Sequence, residues 1–138
     1  MVKLDYTAPC LPGDHARHFF WTQQMNVAQQ IEQVSDELER AEVYFGHGTD
    51  NALDEAAWLV LHVIGAPLDG SFVGWGRELE SKETARIEHL LQERITRRVP
   101  LAYLTGMARF AGLEFETSGS ALVPRSPLAQ LIREQFSP

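Results

Sequence analysis

Residues 98–117, RVPLAYLTGMARFAGLEFET, contain the main structural transition of the chain, because the pattern of apolar residues changes partway through them. The residue before Pro100 avoids helical geometry, so a long upstream helix should end here. Residues 101–104 can form one more helical turn before Gly106, and beyond Gly106 the pattern becomes extended. The stretch therefore predicts a junction between a helical part of the chain and a β-rich part.

The β-rich part is predicted to contain a hairpin. Met107–Phe110 and Leu113–Thr117 are short extended segments on either side of Ala111-Gly112, a two-residue turn signal. In the second segment apolar residues alternate with Glu114 and Glu116, which predicts a strand with one solvated face. Residues 121–123 are a candidate for a third strand.

Upstream of the junction, the first helix is predicted from one apolar stripe with steps of three and four residues: Val27, Ile31, Val34, Leu38 and Ala41. Thr22 offers a side-chain oxygen at a suitable N-cap position. Phe45-Gly46 offers a glycine that can close the helix. We therefore expect this helix to begin just after Thr22 and to end near Gly46.

Two further helices follow. The second should be capped by one of residues 49–51 and end at Gly65, and the third should run from a cap at Ser81 toward Pro100. Charges at the helix ends favour the helix dipole: Asp54, Glu55 and Glu83 in first turns, and Arg94, Arg97 and Arg98 in the last turn of the third helix. The predicted fold class is mainly α, a small helical bundle followed by a β-hairpin linker and the start of a further helix.

Length and charge limit the classes of function. A chain of 138 residues forms one domain, and its one cysteine, Cys10, cannot form an internal disulfide. No apolar run has membrane-spanning length and no secretory signal is recognisable, so we expect a cytoplasmic protein. Residues 1–80 carry 13 acidic and 4 basic side chains, and residues 81–138 carry 6 and 8. The acidic first half disfavours direct contact with nucleic acid and suits a basic protein partner.

No motif for catalysis or metal binding is evident. Gly46-x-Gly48 and Gly74-x-Gly76 lack the preceding strand and the third glycine of a phosphate-binding loop. His62 falls within an apolar helix, which is typical of a core histidine, and no spacing of cysteines and histidines suits zinc. From the residues alone, the chain is an acidic helical domain with a hairpin appendix.

Three segments carry a resemblance to a known family. They are FGHGTDNALDEA (residues 45–56), RVPLAYLTG (residues 98–106) and LVPRSP (residues 122–127). Together they resemble the HemK/PrmB family of glutamine methyltransferases. Ser126-Pro127 and the residue 46–51 loop favour its PrmB branch, which modifies a glutamine on the third protein of the large ribosomal subunit. The wider family also includes the release-factor methyltransferase, an alternative that the 98–106 segment alone would fit.

The resemblance implies a domain organisation. It suggests a flexible segment at residues 1–20, a helical substrate-recognition domain at 21–105, a β-hairpin hinge at 106–125, and at 126–138 the first helix of a truncated methyltransferase domain. The family's catalytic Asn-Pro-Pro-Tyr motif is not found in this sequence, nor is a glycine-rich cofactor loop after a strand. We therefore expect S-adenosylmethionine to be bound by the parent protein and not by this chain, which should be inactive alone and have no catalytic residues.

The resemblance also indicates recognition residues. His47, Thr49, Asp50 and Asn51 are expected to face the substrate protein, although helix capping explains the same residues and both roles can coexist. Phe110, Pro124 and Arg125 match hinge positions near the active site, or alternatively set only the geometry of the hinge.

The implied partner is a basic large-subunit ribosomal protein, with no direct contact to nucleic acid or membrane. Apolar residues of the last helix (Leu128, Leu131, Ile132 and Phe136) should be disordered here or buried against a second copy of the chain. A different class of function also remains open, that of a free-standing helical interaction or oligomerisation domain.

Overall fold

The structure is a computed structural model that describes residues 24–46, 48–111 and 113–120. Within these residues the chain forms four helices and one antiparallel hairpin, which confirms the mainly α prediction. The elements are α1 (Val27–Arg40), α2 (Ala52–Ile64), α3 (Ser81–Thr96), α4 (Leu101–Thr105), β1 (Met107–Phe110) and β2 (Leu113–Glu116). The N-terminal segment, the candidate third strand and the predicted last helix lie outside the described residues.

Helix α1 begins at Val27, later than predicted, because Asn26 and Gln29 form a capping box. The Gln29 backbone N–H donates to Asn26 Oδ1 (2.9 Å), and the Asn26 N–H donates to Gln29 Oε1 (3.1 Å). Thr22, the predicted cap, lies outside the described residues. The Val27 N–H donates to the backbone oxygen of Arg77 (2.9 Å), so the segment before α3 also supports the start of α1.

The end of α1 also differs from the prediction, since the helix ends at Arg40 and not near Gly46. Glu42 has the left-handed conformation (φ 49°), which breaks the helix. Its N–H donates to the oxygen of Glu39 (3.0 Å), and the Val43 N–H donates to the oxygen of Leu38 (3.5 Å). These two bonds form a Schellman motif, which is usually built on glycine and was therefore missed in the sequence.

The predicted limits of α2 are confirmed, and those of α3 need a small correction. Asn51 caps α2, and Gly65 closes it with a left-handed φ of 68°. Helix α3 is capped by Glu80 and not by Ser81, which is its first helical residue, and it ends at Thr96, so Arg94 lies in its last turn whereas Arg97 is the C-cap and Arg98 lies beyond it. The Glu80 N–H donates to Glu83 Oε2 (2.9 Å), so Glu83 satisfies a backbone donor as well as favouring the helix dipole.

Helix α2 lies at the centre of the bundle and contacts α1, α3 and α4. Leu59 and Val60 of α2 are fully buried, as are Val34 and Leu38 of α1 and Ile87 of α3. The apolar stripe predicted for α1 is therefore the side that packs against the other helices. None of the helices in the described ranges has the length and apolar character needed to span a membrane.

The hairpin forms as predicted, with Phe110 paired to Leu113 across the two-residue turn, except that the second strand ends at Glu116, one residue before its predicted end at Thr117. It is held to the bundle through β1, where Ala108 is fully buried. The prediction of one solvated face for β2 is wrong, since all four of its residues are exposed. The exposed fractions of Leu113 and Phe115 are 58% and 41%, because no other described element covers β2.

Candidate functional site

The predicted recognition loop, residues 46–51, connects α1 to α2, and His47 lies outside the described residues. Asp50 and Asn51 are exposed, and Thr49 is half-buried. Asn51 Oδ1 accepts from the Asp54 N–H (2.8 Å), and Asn51 Nδ2 donates to Asp54 Oδ2 (2.8 Å). Asn51 therefore acts as a helix cap, and Asp50 is the exposed charge of the loop.

A buried ion pair holds both ends of this loop. Arg94 Nε of α3 donates to Glu55 Oε1 of α2 at 2.5 Å, and both residues are only 3% exposed. Arg94 Nη2 donates to the backbone oxygen of Tyr44 (2.7 Å), before the loop. Thr49 Oγ1 donates to Glu55 Oε2 (3.2 Å), at its other end. We call Glu55 and Arg94 the loop clamp, because together they fix where the loop leaves α1 and where it enters α2.

The loop clamp was not predicted as a pair, although its residues follow the apolar periodicity. Arg94 comes seven residues after Ile87 and three after Leu91, on the buried side of α3. Glu55 stands four residues before Leu59, on the buried side of α2. The pair could have been predicted from the sequence, because the apolar periodicity places two opposite charges on the buried sides of two helices. Buried charges are almost always partnered.

The loop also contacts the hairpin, which brings two predicted regions together. Gly48 has a φ of 114°, and a Cβ built there would lie 3.1 Å from Trp58 Cζ3 and 3.9 Å from the backbone oxygen of Arg109. Close approach of this loop to α2 and β1 therefore requires glycine. Phe110, half-buried, follows Arg109 in β1. Pro124 and Arg125, the other predicted hinge residues, lie outside the described residues.

A cleft of about 290 Å³ lies between the C-terminal end of α2 and the hairpin. We call it the hairpin cleft; its wall includes residues 65–67 together with Trp58, His62, Leu68, Met107, Arg109 and Glu114. Arg109 Nη1 donates to the Leu68 backbone oxygen (2.9 Å), and Arg109 Nε lies 3.7 Å from Glu114 Oε1 across the strands. The cleft is therefore bounded by a charge pair and is close to electrically neutral.

Two residues in the wall of the cleft have distinctive properties: His62 in its pKa, and Trp58 in its hydrogen bonding. Burial, and then the charge of Arg86, holds the pKa of His62 below its ordinary value, which favours the neutral imidazole. Trp58 is 4% exposed, and its indole N–H has no hydrogen-bond partner among the described residues. A buried donor without an acceptor is costly, so Trp58 has unused capacity for a hydrogen bond.

An acidic stripe runs along the solvent side of α1. Glu32, Asp36 and Glu39 are exposed and recur at steps of four and three residues. Asp36 is partly neutralised by Arg40 at 3.6 Å, whereas Glu32 and Glu39 have no ion pair within the described part of the chain. The described ranges contain no group of three or more potential metal ligands.

The chain matches a known protein family. Residues 29–106 match the family described as PrmC N-terminal domain. Relatives from three bacterial species illustrate a group that bears the name ribosomal protein uL3 glutamine methyltransferase. The relative from Xylella fastidiosa is 45% identical over 113 residues, covering 81% of this chain and 36% of the relative. The relative from Xanthomonas campestris is 54% identical over 95 residues, which cover 68% of this chain and 30% of the relative. The relative from Bordetella pertussis is 38% identical over 122 residues, which cover 83% of this chain and 41% of the relative. The chain thus spans about a third of the length of these relatives.

Proposed function

The chain belongs to the family of PrmC N-terminal domains, and on that basis we propose that it is the substrate-recognition part of a protein-glutamine methyltransferase that acts on ribosomal protein uL3. The observation that carries the proposal is the 38–54% identity to relatives named as uL3 glutamine methyltransferases. That name also favours uL3 over a release factor as the substrate. We place the parent enzyme in the cytoplasm, where ribosomal proteins are made.

In the proposed reaction, S-adenosylmethionine would supply a methyl group to the side-chain amide nitrogen of a glutamine in uL3, with S-adenosylhomocysteine as the leaving group and release of a proton from the nitrogen. The described residues do not fit this cofactor, since within them no strand leads through a glycine-rich loop into a helix. We therefore assign cofactor binding and methyl transfer to the rest of the parent protein. The contribution of this chain is to bind and orient the substrate protein, which lowers the entropy cost of bringing a weak nucleophile to the methyl donor.

The loop clamp supports a recognition role for residues 46–51. A loop fixed at both ends loses little conformational freedom when it binds, so more of the contact energy appears as affinity. Asp50 and Asn51 present polar groups to solvent from this fixed position. Capping of α2 by Asn51 is compatible with recognition, because the cap sets the direction of the exposed Asp50.

The acidic stripe on α1 supports a basic partner. Exposed carboxylates at Glu32 and Glu39 would accelerate encounter with a positively charged ribosomal protein and disfavour acidic competitors. The same charge opposes direct binding to a nucleic-acid backbone. This is why we propose the unassembled protein, and not uL3 buried in ribosomal RNA, as the form that the domain recognises.

The proposal is tested by titrating the full chain with purified uL3 at low and high salt, with a release factor as the competing substrate. We expect uL3 to bind, and to bind more weakly at high salt, because the exposed charges are screened within a Debye length. Absence of uL3 binding at both salt concentrations would contradict a recognition role for this domain. Binding of the release factor alone would assign the domain to the other branch of the family.

A further inference from the structure

An apolar surface lies on the connection between α2 and α3. It consists of Phe72, Val73 and Trp75, which we call the aromatic patch. Val73 is 89% exposed and Trp75 is 42% exposed. The rings of Phe72 and Trp75 meet edge to face, with their centroids 4.9 Å apart and their planes at 85°. The patch is therefore a contiguous apolar surface with a defined arrangement, and not a set of scattered exposed side chains.

The chain enters α1 beside this patch. The Ala28 N–H, in the first turn of α1, donates to the backbone oxygen of Trp75 (3.0 Å). Gln24, the first described residue, donates from Nε2 to Glu78 Oε2 (3.0 Å). Between these two bonds, Asn26 forms an isolated antiparallel bridge with Glu78. The backbone that leads into α1 is therefore held against the same connection that carries the aromatic patch.

The sequence just before Gln24 contains a second apolar group. Residues 1–23 lie outside the described residues, and they include the three consecutive aromatic residues Phe19, Phe20 and Trp21. An extended chain covers about 3.3–3.6 Å per residue, so these three side chains lie within roughly 10–18 Å of Gln24 along the chain. Three consecutive exposed aromatic residues are unfavourable in water and need an apolar surface to cover them. The aromatic patch is such a surface, and it lies at the point where this segment joins the bundle.

We propose that residues 19–21 fold back onto the aromatic patch and cover Val73, which makes the N-terminal segment a strap across the connection between α2 and α3. The short tether gives these residues an effective concentration at the patch of about millimolar, which favours them over a free partner. Aromatic rings prefer offset and edge-to-face contacts, and the rings of Phe72 and Trp75 offer faces and edges for both. The strap is a property of this chain alone, so it does not depend on the proposed function.

A cycle of variants of the full chain tests the strap by urea denaturation. If the strap covers Val73, Val73→Asp should raise the ratio of unfolded to folded chain about tenfold, because a buried valine is lost. In a chain that also carries Phe19→Ser and Phe20→Ser, the same substitution should have almost no further effect, since the cover is already lost. Leu113→Asp changes an exposed apolar residue of the hairpin and should have the same effect in both backgrounds. An equal effect of Val73→Asp in both backgrounds would overturn the proposal.

The indole resonance of Trp75 in a nitrogen-15-labelled sample reports which group covers the patch. The protein has three tryptophans, so the resonance is assigned by its loss in Trp75→Phe. We expect Phe19→Ser with Phe20→Ser to shift it and to increase its broadening by a soluble paramagnetic agent, at every protein concentration. Tyr6→Ser, a similar change earlier in the same segment, should do neither.

Other occupants of the patch give different results. A Trp75 resonance that shifts with protein concentration would mean that a second copy of the chain covers the patch. A resonance that ignores the changes at Phe19 and Phe20 and shifts only when uL3 is added would assign the patch to uL3. Either result would overturn the strap, whereas the salt titration with uL3 decides the proposed function separately.

Discussion

Arg94 and Glu55 form an ion pair in which both side chains are almost fully buried, so neither can lose its partner without a large cost. We predict that Arg94→Met lowers the free energy of unfolding by about 3–5 kcal/mol, because it leaves the Glu55 carboxylate buried and uncompensated. Urea denaturation of the full chain measures the effect. An unfolding free energy within 1 kcal/mol or so of the original would show that Glu55 is solvated or repartnered in the variant.

A double variant separates the effect of an unpaired buried charge on stability from the effect of the loop's hydrogen bonds on binding. Glu55→Leu with Arg94→Met should recover most of the lost stability, because a buried ion pair can often be replaced by apolar residues at little cost. It also removes the hydrogen bonds to the Tyr44 oxygen and from Thr49 that hold the loop. We therefore expect restored stability with weakened binding of uL3. Full recovery of binding as well would mean that the loop does not need the clamp.

His62 predicts how stability depends on pH. Burial and the charge of Arg86 hold the pKa of His62 below its ordinary value of 6.5, so the unfolded chain takes up a proton at a higher pH than the folded one. The contribution of neutral His62 is therefore complete above pH 6.5 and is lost as pH falls below that value, until the folded pKa is reached.

Two measurements check this behaviour. In an NMR titration of the folded chain, the His62 midpoint should lie below 6.5, and Arg86→Gln should raise it. In urea denaturation at a series of pH values, His62→Gln should reduce the loss of stability between about pH 7 and pH 5. A midpoint at or above 6.5 would show that His62 is better solvated than its position in α2 indicates.

At the scale of elements, the end of α1 depends on one strained residue. Glu42 adopts φ 49° in a Schellman motif where glycine is usual. We predict that Glu42→Gly raises the free energy of unfolding by about 0.5–1 kcal/mol. Glycine removes the cost of the left-handed conformation from the folded state, and this gain exceeds the entropy cost of fixing a glycine when the chain folds. Glu39→Gly, inside the helix, is the matched control and should lower it by about 1 kcal/mol. A loss of stability in both variants would mean that the Glu42 side chain contributes more than its strain costs.

The same motif shows what local sequence could and could not predict. Asn51 and Gly65 mark the ends of α2 by their own chemistry, and the hairpin follows from its turn, so these limits were predictable. The end of α1 was not, because Glu42 has no sequence signal for a left-handed conformation. Its energetic support comes from Val43, which returns the chain to the core. Such packing is a property of the folded bundle and not of the local pattern.

The candidate site could likewise be predicted only in part from the sequence. The loop of Thr49, Asp50 and Asn51 was recognised in the sequence, and the structure places it at the start of α2. Its clamp was missed because Glu55 and Arg94 are 39 residues apart and each also has a local explanation as a helix-end charge. The contact of the loop with Trp58 and β1 depends on how α2 packs against the hairpin, which no spacing in the sequence encodes.

For the molecule as a whole, charge is distributed unevenly along the sequence, and the acidic excess lies in residues 1–80. The exposed face of α1 is acidic, whereas Lys82, Arg86 and Arg97 are exposed on or just after α3. A basic partner would therefore be attracted to the acidic surface of residues 1–80, which includes the stripe on α1. Such long-range attraction acts on the rate of encounter more than on the lifetime of the complex.

This division predicts a specific kinetic result for uL3 binding. Glu32→Lys with Glu39→Lys should lower the association rate constant about tenfold at low salt and leave the dissociation rate constant nearly unchanged, because exposed charges at a rim steer encounter. Glu88→Lys with Glu116→Lys makes the same change in net charge away from α1 and should have a smaller effect. The difference between the two double variants should shrink as salt is added, since the field of α1 is screened.

Surface plasmon resonance with immobilised uL3 measures both rate constants. Equal slowing by the two double variants would mean that net charge alone steers binding, whereas faster dissociation only from the α1 variant would mean that α1 contacts uL3 directly.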